Sequence, residues 1–123
     1  MTDCRPVSLF SLQTARQLSD ELGMSLDTRR FRANVYLDLV EGSAGFAEEG
    51  LVGRRLRIGS RLVVSVVERD PRCNMITLDP DSGAPNPDIL RKVAQSHGGT
   101  AGVYGAVLAE GRVRAGDRVE LLD

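Results

Sequence analysis

The 123-residue sequence predicts a mainly β domain with some α, an α+β fold built as a small β-barrel with flanking helices. Three observations predict it. Short apolar runs separated by turn residues recur along the chain and amount to at least six strands. Only two segments carry apolar residues at helical spacing. The chain finishes on a strand, a Gly-Asp turn and a strand, an arrangement that closes small barrels and sheets.

The elements follow in order. Val7 to Phe10 is a short extended piece, and Ser11 is placed as the N-cap of a helix whose apolar face is Leu12, Ala15, Leu18 and Leu22. Gly23 serves as its C-cap. Met24 to Arg30 is polar and reads as a loop. Phe31 to Leu39 reads as a strand, because Val35, Leu37 and Leu39 alternate with Tyr36 and Asp38. On such a strand Arg32 and Asn34, two apart, share a face. The Gly- and Glu-rich stretch 41–50 is a surface loop, with Phe46 tucked onto the core. Leu51–Ile58 and Arg61–Val67 are strands joined by a two-residue Gly59-Ser60 turn. Glu68 to Pro71 reads as a polar turn. The apolar piece Met75–Leu78 follows, then a turn from Asp79 to Gly83. Pro87 to Ser96 is a short helix with Ile89, Leu90, Val93 and Ala94 on its apolar face. His97-Gly98-Gly99 ends it. Gly102–Gly111 is a strand with its turn, and Arg118–Leu122 is the last strand after the Ala115-Gly116-Asp117 turn.

Composition excludes several classes. Apolar residues make up 41% and charged residues 27%, as in ordinary globular domains. The net charge of −1 gives no global field toward nucleic acid or anionic membrane. At 4% aromatic content, stacking surfaces for bases are scarce, so no nucleic-acid partner is expected, and the Arg-rich stretch 51–61 reads as a solvated hairpin face. No apolar run approaches the ~20 residues of a membrane span, and no signal peptide is evident. A cytoplasmic, reduced protein is expected. Cys4 and Cys73 lie far apart without a C-x-x-C, and His97 is the single histidine, so neither a disulfide framework nor a zinc site is expected.

The stretch 66–83 carries the chemistry. Cys73 follows a turn and sits beside Arg72. Positive charge next to a thiol favours the thiolate, the form that attacks electrophiles and binds metals. The competing reading, a buried inert cysteine, is the commoner one on local chemistry alone. Arg32 and Asn34 offer donors to an anion or a polar ring edge, with a solvated strand edge as the alternative. Asp70, Asp79 and Asp81 are acids around turns, where such residues are usually solvated or turn-forming.

Three segments resemble one family. Arg29–Asp38 (RRFRANVYLD) resembles an R-F-R-x-N strand. Asp70–Gly83 fills an R-C-x-x-T-x-D-P-x-x-G loop with Arg72, Cys73, Thr77, Asp79, Pro80 and Gly83. The end of the chain resembles closing G-V-Y and G-x-V-R-x-G-D-x-V strands. In this order they resemble a MOSC domain, the module named after the C-terminal part of molybdenum-cofactor sulfurases.

The resemblance implies a β-barrel-like fold and a place in sulfur or molybdenum chemistry. It implies Cys73 as ligand of molybdenum in a molybdenum–pterin cofactor, or as a sulfur carrier, and so as the catalytic residue. It implies Arg32, Asn34 and Arg72 as contacts to the anionic cofactor, with Thr77 and Asp79 supporting them. Oxidoreductase and sulfur-transfer activities are the enzymatic alternatives. A non-catalytic accessory module that binds a small molecule or a partner enzyme is the other reading. Relative to larger members the chain is expected to be one domain over 1–123 without an N-terminal β-domain, and Asp70 stands where reductase-type members often carry a second cysteine. A homodimer, or a partner chain, is expected to complete the pocket and cover unpaired strand edges.

Overall fold

The computed structural model describes residues 6–40 and 42–122; Cys4 lies outside them. Six strands form one sheet: β1 (Pro6–Ser11), β2 (Val35–Leu37), β3 (Arg55–Ile58), β4 (Leu62–Pro71), β5 (Thr100–Ala109) and β6 (Val119–Leu121). Their order is β2-β1-β5-β4-β3-β6. β1 and β2 run parallel, and every other pair is antiparallel. Helices α1 (Leu12–Leu22) and α2 (Pro87–Ser96) complete an α+β fold.

The sheet curls into a half-barrel, and the β4–β5 ladder shows why. Its register shifts between Val63 and Val64, between Val66 and Glu68, and between Arg69 and Pro71. Each extra residue bends its strand and adds twist. At the last shift Arg69 pairs with Val103 and Pro71 with Thr100, so Asp70 faces both Ala101 and Gly102. Gly102 takes φ 84, which a side chain would resist. Residues two apart normally share a face. Here Ala101 joins the core on one side of the sheet and Val103 the core on the other.

Those two cores follow from strand alternation. Leu9 and Phe10, adjacent on β1, point to opposite faces. Phe10 packs with Ala15 and Leu18 of α1, Ile89 and Val93 of α2, and Phe31 and Ile76. Leu9 packs with Leu37, Leu56, Ile58, Val64, Val66 and Val103.

Both helices begin and end where side-chain chemistry dictates. Ser11 accepts from Thr14 N, and Gly23 closes α1 in the left-handed region at φ 66. Asn86 caps α2, with Pro87 in its first turn. The N-terminus of α1 gains a second cap. The fully buried Glu48 carboxylate accepts from Ser11 N at 2.8 Å, Ser11 Oγ at 2.9 Å and Thr14 Oγ1 at 2.8 Å. A carboxylate there also meets the positive end of the helix dipole. Phe46 packs on the core as expected, and its ring stacks on His97 with centroids 3.7 Å apart.

Several local expectations are corrected. Glu68–Pro71 is no turn: pairing with β5 carries β4 through it to Pro71, tertiary context overriding local polarity. Phe31–Leu39 is a strand only over Val35–Leu37. A 3-10 turn at Thr28–Phe31 precedes it, and Arg32 closes that turn at φ 51. Arg32 and Asn34 therefore do not share a strand face. β3 begins at Arg55 because Ala47–Leu51 winds into a 3-10 turn. Ile58 pairs with Leu62, so the β3–β4 loop has Arg61 as a third member beside Gly59 and Ser60. Ala94 faces solvent, leaving Ile89 and Val93 as the buried residues of α2.

Candidate functional site

β4 delivers Asp70, Arg72 and Cys73 to one end of the sheet. Pro71 has no N–H to donate and ends the strand. Arg72 N then bonds Gly99 O at 2.9 Å, and a 3-10 turn starts at Asn74. Cys73, just before that turn, is exposed. The buried, inert reading of this cysteine does not hold.

Arg72 lies under the loop. Its Nε donates to Ala101 O at 2.9 Å and its Nη1 to Phe31 O at 2.8 Å. Its guanidinium carbon sits 5.5 Å from the Phe10 ring centroid and 5.6 Å from that of Phe31. Those rings stack 4.2 Å apart. Nη2 is 3.2 Å from Asp70 Oδ2, close enough to pair charges but off the line of a hydrogen bond, so this buried nitrogen keeps an unused donor. Burial pulls the Arg72 guanidinium below its ordinary pKa, while the Asp70 carboxylate beside it pushes it back up.

Asp70 is buried, at 2% exposure. Burial pushes its carboxyl above the ordinary value; the Arg72 charge and a hydrogen bond with Tyr104 oppose that. Tyr104 is raised in turn, by burial first and then by the Asp70 charge. Gly102 leaves the room this cluster needs. A Cβ there would lie 2.8 Å from Leu9 O and 3.5 Å from Arg72 Nη2.

The other expected site residues divide into two groups. Thr77 and Asp79 hold the loop's shape. Thr77 Oγ1 donates to Asn74 O at 2.6 Å, and Asp79 Oδ1 accepts from Asp81 N at 2.8 Å and Ser82 N at 2.9 Å. Backbone N–H groups hold the Asp79 carboxyl below its usual range. Buried Arg30 fastens this loop, donating to Thr77 O at 2.9 Å with Asp79 Oδ2 at 3.6 Å. Arg32 and Asn34 keep free donors. Asn34 Oδ1 accepts from Ser8 N at 2.8 Å, but no described residue hydrogen-bonds its Nδ2. Arg32 is exposed, with no hydrogen bond or ion pair from its side chain to a described residue. The Arg72 bond to Phe31 O ties the segment carrying Arg32 to the residue before Cys73.

Asp70 as a buried group, Tyr104 and Arg30 were not identifiable as site residues by local reading. The available signal for Asp70 was parity with the inward-facing Val64 and Val66 on β4.

This donor set fits an anion with a soft centre. Cys73 offers one exposed thiol, and Arg32 and Asn34 offer unspent N–H groups. Among the described residues no group of three His, Cys, Asp or Glu side chains could hold a metal ion. A metal here would take Cys73 as its protein ligand and its other ligands from an organic cofactor.

The fold and loop together define a class: an α+β half-barrel presenting a cysteine at the end of a buried Arg–Asp pair. The family model described as MOSC domain matches residues 1–120, and the chain belongs to that family. No curated protein sequence matches the chain. Among solved structures, the crystal structure of YiiM from Geobacillus stearothermophilus superposes with a TM-score of 0.71 at 19% identity. The match covers 95% of this chain and 54% of that one, so the chain spans about half the length of that structure. At this identity the likeness is one of fold. No helix among the described residues is long and apolar enough to cross a membrane.

Proposed function

We propose that this MOSC protein acts in sulfur or molybdenum-cofactor chemistry, with Cys73 as metal ligand or sulfur carrier in an anion-binding pocket. The observation that carries this reading is an exposed thiol next to a buried arginine fixed by two carbonyls and a carboxylate. Arg72 positions the cysteine loop and supplies positive charge beneath it. Arg32 and Asn34 bind the anionic part of the cofactor or substrate through their free N–H groups. Thr77, Asp79 and Arg30 keep the loop in shape. A bound molybdenum–pterin group would supply two-electron redox chemistry. As a sulfur carrier, the Cys73 thiolate attacks the outer sulfur of a persulfide donor, forming a new S–S bond as the donor leaves as a thiolate.

Elemental analysis and intact mass of freshly purified, unreduced protein from a cofactor-producing host test this reading. Molybdenum stoichiometric with the chain, or a reducible sulfur increment on Cys73, is expected. A chain carrying neither overturns it.

A second reading, an accessory module without chemistry of its own, is supported by the use of Thr77 and Asp79 within the frame. In either case the homodimer expectation is assigned to the β2 edge of the sheet, one of its two outer strands. Light scattering on a sizing column showing a monomer would remove it.

A further inference from the structure

We propose that the groove between the β3–β4 loop and segment 110–118 docks an acidic, extended segment of a partner protein. Arg61, Arg112, Arg114 and Arg118 line a groove of about 1570 Å³. No hydrogen bond or ion pair to a described residue engages any of these four guanidinium groups. Several arginines elsewhere pair with acids: Arg29 with Asp27, Arg30 with Asp79, Arg57 with Glu120, Arg72 with Asp70 and Arg91 with Asp88. Four free forks around one depression are a feature of this end of the sheet.

The groove is built rather than incidental. Gly59 N bonds Arg118 O at 2.8 Å, and Asp117 Oδ2 accepts from Arg114 N at 3.0 Å. Segment 110–118 lies so close on β4 that a Cβ on Gly111 would be 2.5 Å from Leu62 N.

Size and lining select the occupant. Small-molecule pockets run to about 300–1,000 Å³, so this groove suits something longer. Guanidinium forks match carboxylates in pairs of N–H bonds. No aromatic ring lines the groove, so bases have nothing to stack on, and Glu110 and Asp117 interrupt the positive field along which a phosphate chain would run. A peptide can place an N–H or a basic side chain against those two acids. Next to the groove, β6 has an outer edge without a partner strand among the described residues. Val119 and Leu121 on that strand are 38% and 50% exposed. An added strand would take backbone bonds from this edge, seat alternate apolar side chains on Val119 and Leu121, and turn its acids toward the arginines. A second copy of this chain is disfavoured there, because a symmetric pair would bring arginine against arginine. The groove flanks Leu62, at the opposite end of β4 from Cys73, about 30 Å away along a ten-residue strand. The inference is therefore independent of the role assigned to Cys73.

The test is fluorescence anisotropy of a short labelled peptide of alternating glutamate and valine. Its comparisons are the lysine–valine peptide and a single-stranded oligonucleotide of equal charge. Binding of the acidic peptide alone is expected, weakened roughly tenfold between low and physiological ionic strength. Arg112→Glu, Arg114→Glu and Arg118→Glu combined should abolish it while circular dichroism stays that of the wild type. Amide shifts on titration should fall on β6 and segment 110–118. No binding by the acidic peptide overturns the proposal, as does undiminished binding by the triple variant. Tighter binding of the oligonucleotide would assign the groove to nucleic acid instead.

Discussion

Arg72 Nη2 lies 3.2 Å from Asp70 Oδ2, and the two side chains are 9% and 3% exposed. A buried pair of this kind adds little relative to apolar packing, because desolvation offsets attraction. Breaking it is different, since one charge is then left buried alone. Arg72→Met keeps much of the bulk and removes the guanidinium, leaving the Asp70 carboxylate buried alone. It should lower stability by about 3 kcal/mol in urea denaturation. Adding Asp70→Asn should recover part of that loss, because burial already disfavours the charged carboxyl. A single variant as stable as the wild type would show that the pair does not hold the loop.

Opposite surroundings set opposite titrations for Asp70, on β4, and Asp79, in the loop that follows it. Asp70 is raised above the ordinary 3.8 chiefly by burial, and Asp79 is lowered below it chiefly by hydrogen bonds from Ser82 and Asp81 backbone N–H groups. Linkage fixes the signs. The Asp70 contribution is fully present below 3.8 and is lost as pH rises through its higher folded value. The Asp79 contribution is present above 3.8 and is lost as pH falls through its lower folded value. Carboxyl carbon titration by NMR should place the two midpoints on opposite sides of 3.8. Coincident midpoints would contradict the buried placement of Asp70.

Gly102→Ala tests the bulge. Its φ of 84 is strained for any side chain, and the new Cβ would meet Leu9 O at 2.8 Å, a backbone atom that cannot swing aside. A loss of about 1–3 kcal/mol is expected. Because Ala101 O also accepts from Arg72 Nε, reactivity of Cys73 toward iodoacetamide should change in the same variant. Unchanged stability would mean that β5 can pass this point without the bulge.

Cys73→Ala separates function from packing. A cysteine filling the core would leave a cavity costing roughly 1 kcal/mol or more. Cys73 is exposed, so the change should stay within about 0.5 kcal/mol of wild type while ligand loading at the site is lost. Retained loading would remove Cys73 from the site.

Much of this was legible in the sequence because it is local. Ser11 and Gly23 announce both ends of α1, Pro87–Ser96 reads directly as α2, and the loop from Arg72 to Gly83 carries the family likeness. What was not legible depends on the sheet. Glu68–Asp70 looks like a turn until β5 pairs with it, and only then is Asp70 carried inside beside Arg72. Arg32 reads as a strand residue until Phe31, drawn in against Phe10, forces the chain through a 3-10 turn. Arg30 and Arg32 look equivalent in RRFR, yet one is buried on Thr77 O and the other is free. Tyr104 pairs with Glu68, and the twist brings its hydroxyl to Asp70 two residues on. No local pattern signals that reach.

Glu48 sits in a loop that reads as acidic surface, yet its carboxylate is fully buried at the start of α1. Ser11 N and the hydroxyls of Ser11 and Thr14 all donate to it. Those hydroxyls are already committed as acceptors, Ser11 Oγ from Thr14 N at 3.0 Å and Thr14 Oγ1 from Phe46 N at 2.7 Å. Glu48→Gln replaces one acceptor oxygen by an NH₂ group, which must then point at a donor. A hydroxyl facing that group must accept on its second lone pair and give up its O–H bond to residue 48, so the helix start loses charge-assisted bonds. The expected cost is about 1–3 kcal/mol. Hydrogen exchange should quicken at Ser11, Thr14 and Phe46 before it does in the β4–β5 ladder, because the loss is local to the helix start. Uniform quickening across the chain, or none, would show that the carboxylate does not act as the cap.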